Sequence, residues 1–252
     1  MLRDRARIGG ALLRLIDRTL ARQATAEALG TAFLVAIVVG SGIAAQRMSP
    51  NDVGLQLLEN SIATGAGLVA LILAFGPVSG AHFNPVVTLA DRIFGGIAGV
   101  AACVYVIAQV AGACVGAMVA NLMFDLDAVN VSTHTRSSGG LWLGEFIATM
   151  GLLFVIFGIV RTGRSAIVPF AVGAYIAAAY WFTSSTSFAN PAVTIARTLS
   201  NTFAGISPSS VPAFVVMQVA GALFAVVLIK YLHPDADGED VVVPHEPTEQ
   251  IA

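Results

Sequence analysis

Two nearly matching phrases carry most of the chemical information in this chain. They are His82-Phe83-Asn84-Pro85-Val86-Val87-Thr88-Leu89-Ala90 and Phe188-Ala189-Asn190-Pro191-Ala192-Val193-Thr194-Ile195-Ala196. Asn followed by Pro starts a helix: the Asn side chain caps, and Pro takes the first helical position, where a missing N–H costs nothing. The cap engages the side-chain oxygen of Asn84 and Asn190, which leaves each NH₂ to donate to an oxygen atom of a passing solute. The stretches ahead of the boxes, Gly80-Ala81-His82 and Thr186-Ser187-Phe188, are expected to be extended and to offer backbone carbonyls as acceptors. Such a row of donors and acceptors binds and passes neutral hydroxylated molecules; it performs no bond chemistry. No Ser/His/Asp constellation, His/Cys cluster or nucleotide loop is visible, and His82, His134, His233 and His245 are scattered. The sequence therefore predicts no enzyme, no metal and no cofactor. Cys103 and Cys114 fall on one predicted helix roughly 16 Å apart, too far to bridge.

The elements that position the boxes are greasy helices. The chain has 252 residues, of which 56 % are hydrophobic and 11 % charged, and its mean hydropathy is +0.81. Soluble domains carry about a quarter charged residues, so the pattern excludes that class. A net charge of −2 offers nothing to nucleic acid. Stretches near ~24–46, ~57–77, ~97–120, ~141–160, ~166–184 and ~212–232 each approach the ~20 residues that cross a bilayer. Two shorter apolar segments, ~85–94 and ~191–200, follow the second and fifth spans and are too short to cross. Polar backbone ahead of a helix that starts inside a membrane is tolerated only where it lines a water-filled cavity. A matching pair of such interruptions points to a transport site. The first span is full length and no A-x-A site stands out, so no cleaved signal is predicted.

The two halves repeat. Glu27-Ala28-Leu29-Gly30-Thr31 opens the first and Glu145-Phe146-Ile147-Ala148-Thr149 the second, while Gln109-Val110-Ala111-Gly112-Ala113 recurs as Gln218-Val219-Ala220-Gly221-Ala222. Three spans per half is odd, so the second half is inverted and the Asn-Pro helices meet N-terminus to N-terminus near the midplane. Arg3, Arg5, Arg7, Arg14, Arg18, Arg22, Arg92, Arg161, Arg164 and Lys230 fall on one side, against Arg47, Arg136 and Arg197 on the other. The positive-inside rule places both termini in the cytoplasm of a multi-pass protein of the inner (cell) membrane.

These residues resemble the aquaporin and aquaglyceroporin channels, the major intrinsic protein family. The resemblance covers roughly 24–232, through Ser79-Gly80-Ala81-His82-Phe83-Asn84-Pro85-Val86, Asn190-Pro191-Ala192, Glu27, Glu145, Gln109 and Gln218. It implies an all-α membrane fold of six transmembrane helices and two re-entrant half-helices, with one pore per subunit of a homotetramer. By the same resemblance Glu27 and Glu145 are structural acids that hold the half-helices through loop N–H groups, not proton carriers. His82 is read as an orienter of the first half-helix. Val86 stands where the family usually has Ala, which is read as a packing change.

Family spacing counts four selectivity-filter positions, at Thr64, Ala178, Ser187 and Val193. Water-selective members have an arginine at the last, with a histidine and a bulky aromatic; this set has none of the three, which implies a wide opening without a fixed cation. The resulting expectation is a passive channel for water and glycerol-like solutes. Resemblance to the arsenic-resistance-associated bacterial branch, which shares the valine, adds arsenous acid. A water-selective or generalist water/urea/polyol channel is the alternative, and a secondary active transporter a remote one. Arg197, four residues beyond Val193, either lines the outer vestibule or ties down loop carbonyls. Residues 1–23 read as a basic arm, lying on the cytoplasmic leaflet or solvated, 24–232 as the channel domain with repeats over 24–120 and 141–232, and 233–252 as a disordered acidic tail.

Overall fold

The computed structural model describes residues 2–160 and 163–232, with side chains from residue 18 onward. It is built of α1 (Leu2–Met48), α2 (Val53–Ser79), α3 (Pro85–Phe94), α4 (Gly99–Met123), α5 (Gly139–Val160), α6 (Val168–Phe182), α7 (Pro191–Ala196) and α8 (Val211–Leu232). Among the described residues, six stretches are long and apolar enough to cross a membrane: Arg18–Met48, Val53–Ser79, Gly99–Met123, Gly139–Val160, Ser165–Phe182 and Pro208–Leu232. They coincide with the six predicted spans, and α3 and α7 are the two short segments. The chain is a multi-pass, all-helical membrane protein.

Local chemistry sets the ends of these elements. Asp52 caps α2 by accepting from Leu55 N–H at 2.9 Å, and the helix stops at Gly80, whose φ of 83° is open to glycine without strain. Asn84 and Asn190 cap α3 and α7 in extended backbone, each followed by Pro at the first helical position. α3 ends at Gly95 with φ 94°. α7 is shorter than the predicted 191–200 segment, because after Ala196 the chain tightens into a 3₁₀ turn over Arg197–Leu199. The backbone predicted as a basic arm over 1–23 runs from Leu2 onward in one helix with the first span, without a break between arm and span. The acidic tail over 233–252 lies outside the described residues.

The repeat seen in the sequence is a repeat in packing. α1 lies against α4 as α5 lies against α8, and the halves meet where α2 crosses α6. Glycine makes these approaches possible. A methyl added at Gly112 would sit 2.1 Å from the Ala28 carbonyl oxygen, and one at Gly221 would sit 2.4 Å from that of Phe146. Both glycines belong to the repeated Gln-Val-Ala-Gly-Ala phrase, so that phrase encodes a backbone-to-backbone helix contact.

Gly112→Ala is expected to force α1 and α4 apart and to destabilise the protein by about 1–3 kcal/mol, as overpacking does. Gly158→Ala, where nothing lies within 4 Å of the added carbon, is the control and is expected to be neutral or stabilising. Heat-induced unfolding midpoints in detergent measure both.

Candidate functional site

The loops ahead of the two boxes are held by buried carboxylates. Glu27 and Glu145 are both fully buried. Glu27 accepts from the backbone N–H of His82 at 3.0 Å and Phe83 at 2.8 Å, from Ser79 Oγ at 2.6 Å and from Gln109 Nε2 at 2.7 Å. Glu145 accepts from the N–H of Phe188 and Ala189, each at 2.9 Å, and from Gln218 Nε2 at 2.6 Å. The glutamines complete the pattern. Gln109 Nε2 also reaches Thr88 Oγ1 at 3.0 Å and Gln218 Nε2 reaches Thr194 Oγ1 at 2.8 Å. Each threonine hydroxyl in turn donates to the capping asparagine's carbonyl. Each half-helix is thus tied to its neighbouring spans by one Glu–Gln–Thr chain. A carboxylate buried without such donors would be strongly unfavourable.

These contacts hold an unusual backbone. Ala81, Phe83, Thr186, Ser187 and Ala189 have φ values of 50°, 49°, 64°, 52° and 48°, the left-handed region that non-glycine residues rarely enter. Ser79 Oγ accepts from Ala81 N–H at 3.2 Å as Ser185 Oγ accepts from Ser187 N–H at 3.3 Å. His82 spans the first half-helix: Nδ1 lies 3.0 Å from Thr88 Oγ1 and Nε2 lies 3.5 Å from Asp91 Oδ2. Asp91, buried at the far end of α3, was missed in the sequence because only acids within full spans were considered.

The two boxes meet by a crossed pair of hydrogen bonds. Asn84 Oδ1 accepts from Val86 N–H at 3.1 Å while its Nδ2 donates to the Ala189 carbonyl at 2.8 Å. Asn190 Oδ1 accepts from Ala192 and Val193 N–H at 3.0 and 3.3 Å while its Nδ2 donates to the Phe83 carbonyl at 2.7 Å. The expectation that each NH₂ is wholly free is therefore corrected. One N–H of each amide locks the opposite loop, and an amide has only one more to offer.

Asn84 and Asn190 lie in the wall of a cavity. The loops ahead of the boxes contribute Gly80, Ala81, His82, Phe83, Ser187, Phe188 and Ala189 to its lining. The spans contribute the apolar Leu34, Val38, Leu68, Ile72, Leu152, Ile156, Val172 and Ile176. Pro85, Pro191 and Ala192 start the half-helices, and Val86 is buried in packing while Val87 lines the cavity. Thr186 sits in a turn, its N–H on the Thr183 carbonyl, and is not a lining residue.

Of the four counted filter positions, Thr64, Ser187 and Val193 line the cavity and Ala178 does not. Ala178 is exposed on the outer face of α6. The α6 residues that line the cavity are Val168, Val172, Ile176 and Tyr180, spaced by four along one helix face, and Ala178 falls half a turn away. Tyr180 takes the place, its hydroxyl 3.1 Å from Thr64 Oγ1. An aromatic is therefore present where four small side chains were expected. Arg197, only 2 % exposed, lines the cavity and donates from Nε to the Ala204 carbonyl. Arg136 was missed; it reaches the Gly205 and Phe203 carbonyls from a loop, a pairing without local signal.

A pair of half-helices meeting through crossed asparagine bonds inside six spans, beside a cavity that both asparagines line, is the architecture of a pore-forming membrane protein. The major intrinsic protein family model matches residues 15–189 and 167–250, and the chain belongs to this family. It is 50 % identical over 213 residues to the aquaglyceroporin AqpS of Rhizobium meliloti (strain 1021), covering 84 % of this chain and 91 % of that one. It is 30 % identical over 189 residues to the glycerol uptake facilitator protein of Haemophilus influenzae, covering 64 % and 70 %. The fold is shared with the X-ray structure of the aquaglyceroporin from Plasmodium falciparum, at a TM-score of 0.67 and 21 % identity over 85 % of this chain and 98 % of that one.

Glu27→Gln keeps the size of the side chain but removes its charge and turns an amide donor toward backbone donors. With about 1.5–3 kcal/mol attached to a hydrogen bond to a charged group, the variant is expected to lose at least that much stability. Glu145→Gln should behave alike. Thermal unfolding of purified variants checks it.

Proposed function

We propose that the protein is a passive channel for small neutral polar solutes, water and glycerol-like molecules among them. The observation that carries this reading is the crossed Asn84–Ala189 and Asn190–Phe83 pair, which brings two helix starts and two amide donors to one level of the lumen. Helix N-termini carry partial positive charge, so a cation is disfavoured there. A neutral hydroxylated solute exchanges its water hydrogen bonds for carbonyls of Gly80, Ala81 and His82, then asparagine amides, then the Ser187 and Phe188 stretch. Its carbon skeleton slides along the apolar wall. An ion cannot replace its hydration in this way.

The filter of this reading is Thr64, Tyr180, Ser187 and Val193. Val193, at a position without charge or bulk, supports passage of solutes larger than water, and the similarity to the Rhizobium aquaglyceroporin and the Haemophilus glycerol uptake facilitator points to the same solute class. Arsenous acid, uncharged at neutral pH and similar in shape to a small polyol, belongs to the proposed range. The asymmetry of arginines supports both termini in the cytoplasm of the inner membrane. Glu27, Glu145 and His82 act as positioning groups for the half-helices, and a homotetramer in the bilayer is the proposed assembly.

Proteoliposome swelling with water, glycerol and arsenous acid tests this function. Flux of all three, unaffected by a proton or sodium gradient, is the expected result. Water conduction without the larger solutes would favour a water-selective channel, and gradient-driven accumulation a secondary transporter. Val193→Arg is expected to lower glycerol flux about tenfold relative to water flux, since pore diameter and lining donors set such selectivity. Equal losses for both solutes would show that Val193 does not line the narrow point.

A further inference from the structure

Arg197 is an unusual resident of a lumen wall. It is 2 % exposed and lies among Tyr180, Ser187, Phe188 and Val193 around the cavity. Its guanidinium carbon is 3.4 Å from the centroid of the Phe188 ring, a stacking distance. Nε donates to the Ala204 carbonyl. Its two terminal nitrogens make no hydrogen bond to protein among the described residues, and a guanidinium stacked on a ring keeps its N–H bonds directed outward in its own plane. Ser187 Oγ, 3 % exposed and in the same wall, also has no partner among the described residues. Two unengaged guanidinium nitrogens and one unengaged hydroxyl thus share one stretch of the lumen.

The surroundings hold Arg197 from three directions. Phe188, its platform, is fixed by the bond from its N–H to Glu145 Oε1 at 2.9 Å. The 203–206 segment is gripped on alternating groups: Arg136 takes the Phe203 carbonyl at 3.2 Å and the Gly205 carbonyl at 2.9 Å, and Arg197 takes the Ala204 carbonyl between them. Ile206 N–H returns a bond to the Arg197 carbonyl at 3.4 Å. Arg136 also lies against Phe188, its guanidinium carbon 5.2 Å from the ring centroid. The same slot exists in the other half with different chemistry. The residue two before the asparagine meets the residue seven after it in both repeats: His82 with Asp91 at 3.5 Å, and Phe188 with Arg197 at 3.4 Å. The fold therefore provides a defined seat at this position, which in the second half presents a cation to the lumen.

We propose that Arg197 and Ser187 form a donor edge that selects the oxygen atoms of neutral hydroxylated solutes and repels cations, with Arg136 as the positioning residue that sets Arg197 through the 203–205 carbonyls. This rests on the channel reading above and adds to its helix N-termini a fixed charge, a guanidinium one helical turn beyond the uncharged Val193. An arginine has donors only, so the edge takes acceptor oxygens. A solute with hydroxyls on adjacent carbons presents two such oxygens to the two terminal nitrogens. A fixed positive charge in a narrow, low-dielectric passage raises the barrier for sodium and potassium.

The test uses full-length protein in liposomes, reading water, glycerol and sodium fluxes on each variant. Arg197→Ala is expected to raise the sodium-to-water flux ratio about tenfold, the size of effect a local charge exerts on ion concentration in a cleft. Arg197→Lys, which keeps the charge and loses the planar fork, is expected to restore the low sodium ratio while leaving glycerol-to-water flux depressed about threefold, since Lys has no bidentate geometry. Arg136→Gln should raise the sodium ratio, and Arg136→Lys should reverse that rise. If Arg197→Ala does not assemble, Arg197→Lys decides: an assembled Lys variant with a wild-type glycerol-to-water ratio overturns the proposal. An assembled Arg197→Ala with wild-type ratios, or anion flux in the wild type above glycerol flux, overturns it equally. Wild-type protein that conducts neither water nor glycerol would instead defeat the channel reading, so the two failures are distinguishable.

Discussion

The backbone N–H groups gathered by two buried carboxylates are the interaction on which the rest of the pore depends. In the loops ahead of the two boxes, Ala81, Phe83, Thr186, Ser187 and Ala189 have φ between 48° and 64°. Such residues cost on the order of 1–3 kcal/mol each and persist only where their surroundings over-determine them. Glu27 and Glu145 supply that determination. Each takes two successive N–H groups of the strained loop, and each is completed by a glutamine from a neighbouring helix. Acids in the interior of a membrane protein are often proton carriers. Here Glu27 accepts four hydrogen bonds and Glu145 three, all from the loops and neighbouring helices.

The two halves use one framework for different ends. Glu, Gln, Thr, Asn and Pro occur in both, and so do the serine contacts of Ser79 with Ala81 and Ser185 with Ser187. The repeats diverge two residues before the asparagine and seven after it. The first half holds His82 near Asp91, an acid next to an imidazole; the second holds Phe188 under Arg197, an aromatic under a cation. The scaffold is symmetric and its electrostatics are not, so the lumen presents different chemistry on either side of the crossed asparagines.

Much of this was legible in the sequence where the determinants are local. Asn-Pro starts, apolar lengths and the repeated Gln-Val-Ala-Gly-Ala phrase depend on neighbours in the chain, and they led to the spans, the half-helices and the inverted repeat. The misplacement of Ala178 has a geometric cause. Which residue of α6 faces the lumen depends on the helix phase, and that phase depends on the length of the 183–190 connection, which a fixed count from Asn190 does not capture. Tyr180 follows once the four-residue spacing from Val168 is known. The second bond of each asparagine, to a carbonyl more than a hundred positions away, has no local signal. Nor does the grip of Arg136 on Phe203 and Gly205. Thr186, read as part of the carbonyl path, turned out to close a turn with Thr183.

The account holds that a neutral solute crosses along the strained loops and past the crossed amides. A high-resolution structure of the protein with glycerol bound tests that most directly. The predicted result is glycerol in the lumen, its hydroxyl oxygens within hydrogen-bond distance of Asn84 Nδ2 or Asn190 Nδ2 and of the carbonyls on either side, with its carbon atoms against the apolar wall of Leu68, Ile72, Leu152 and Ile176. Ordered glycerol found only outside this lumen, with the passage closed between Asn84 and Asn190, would contradict it.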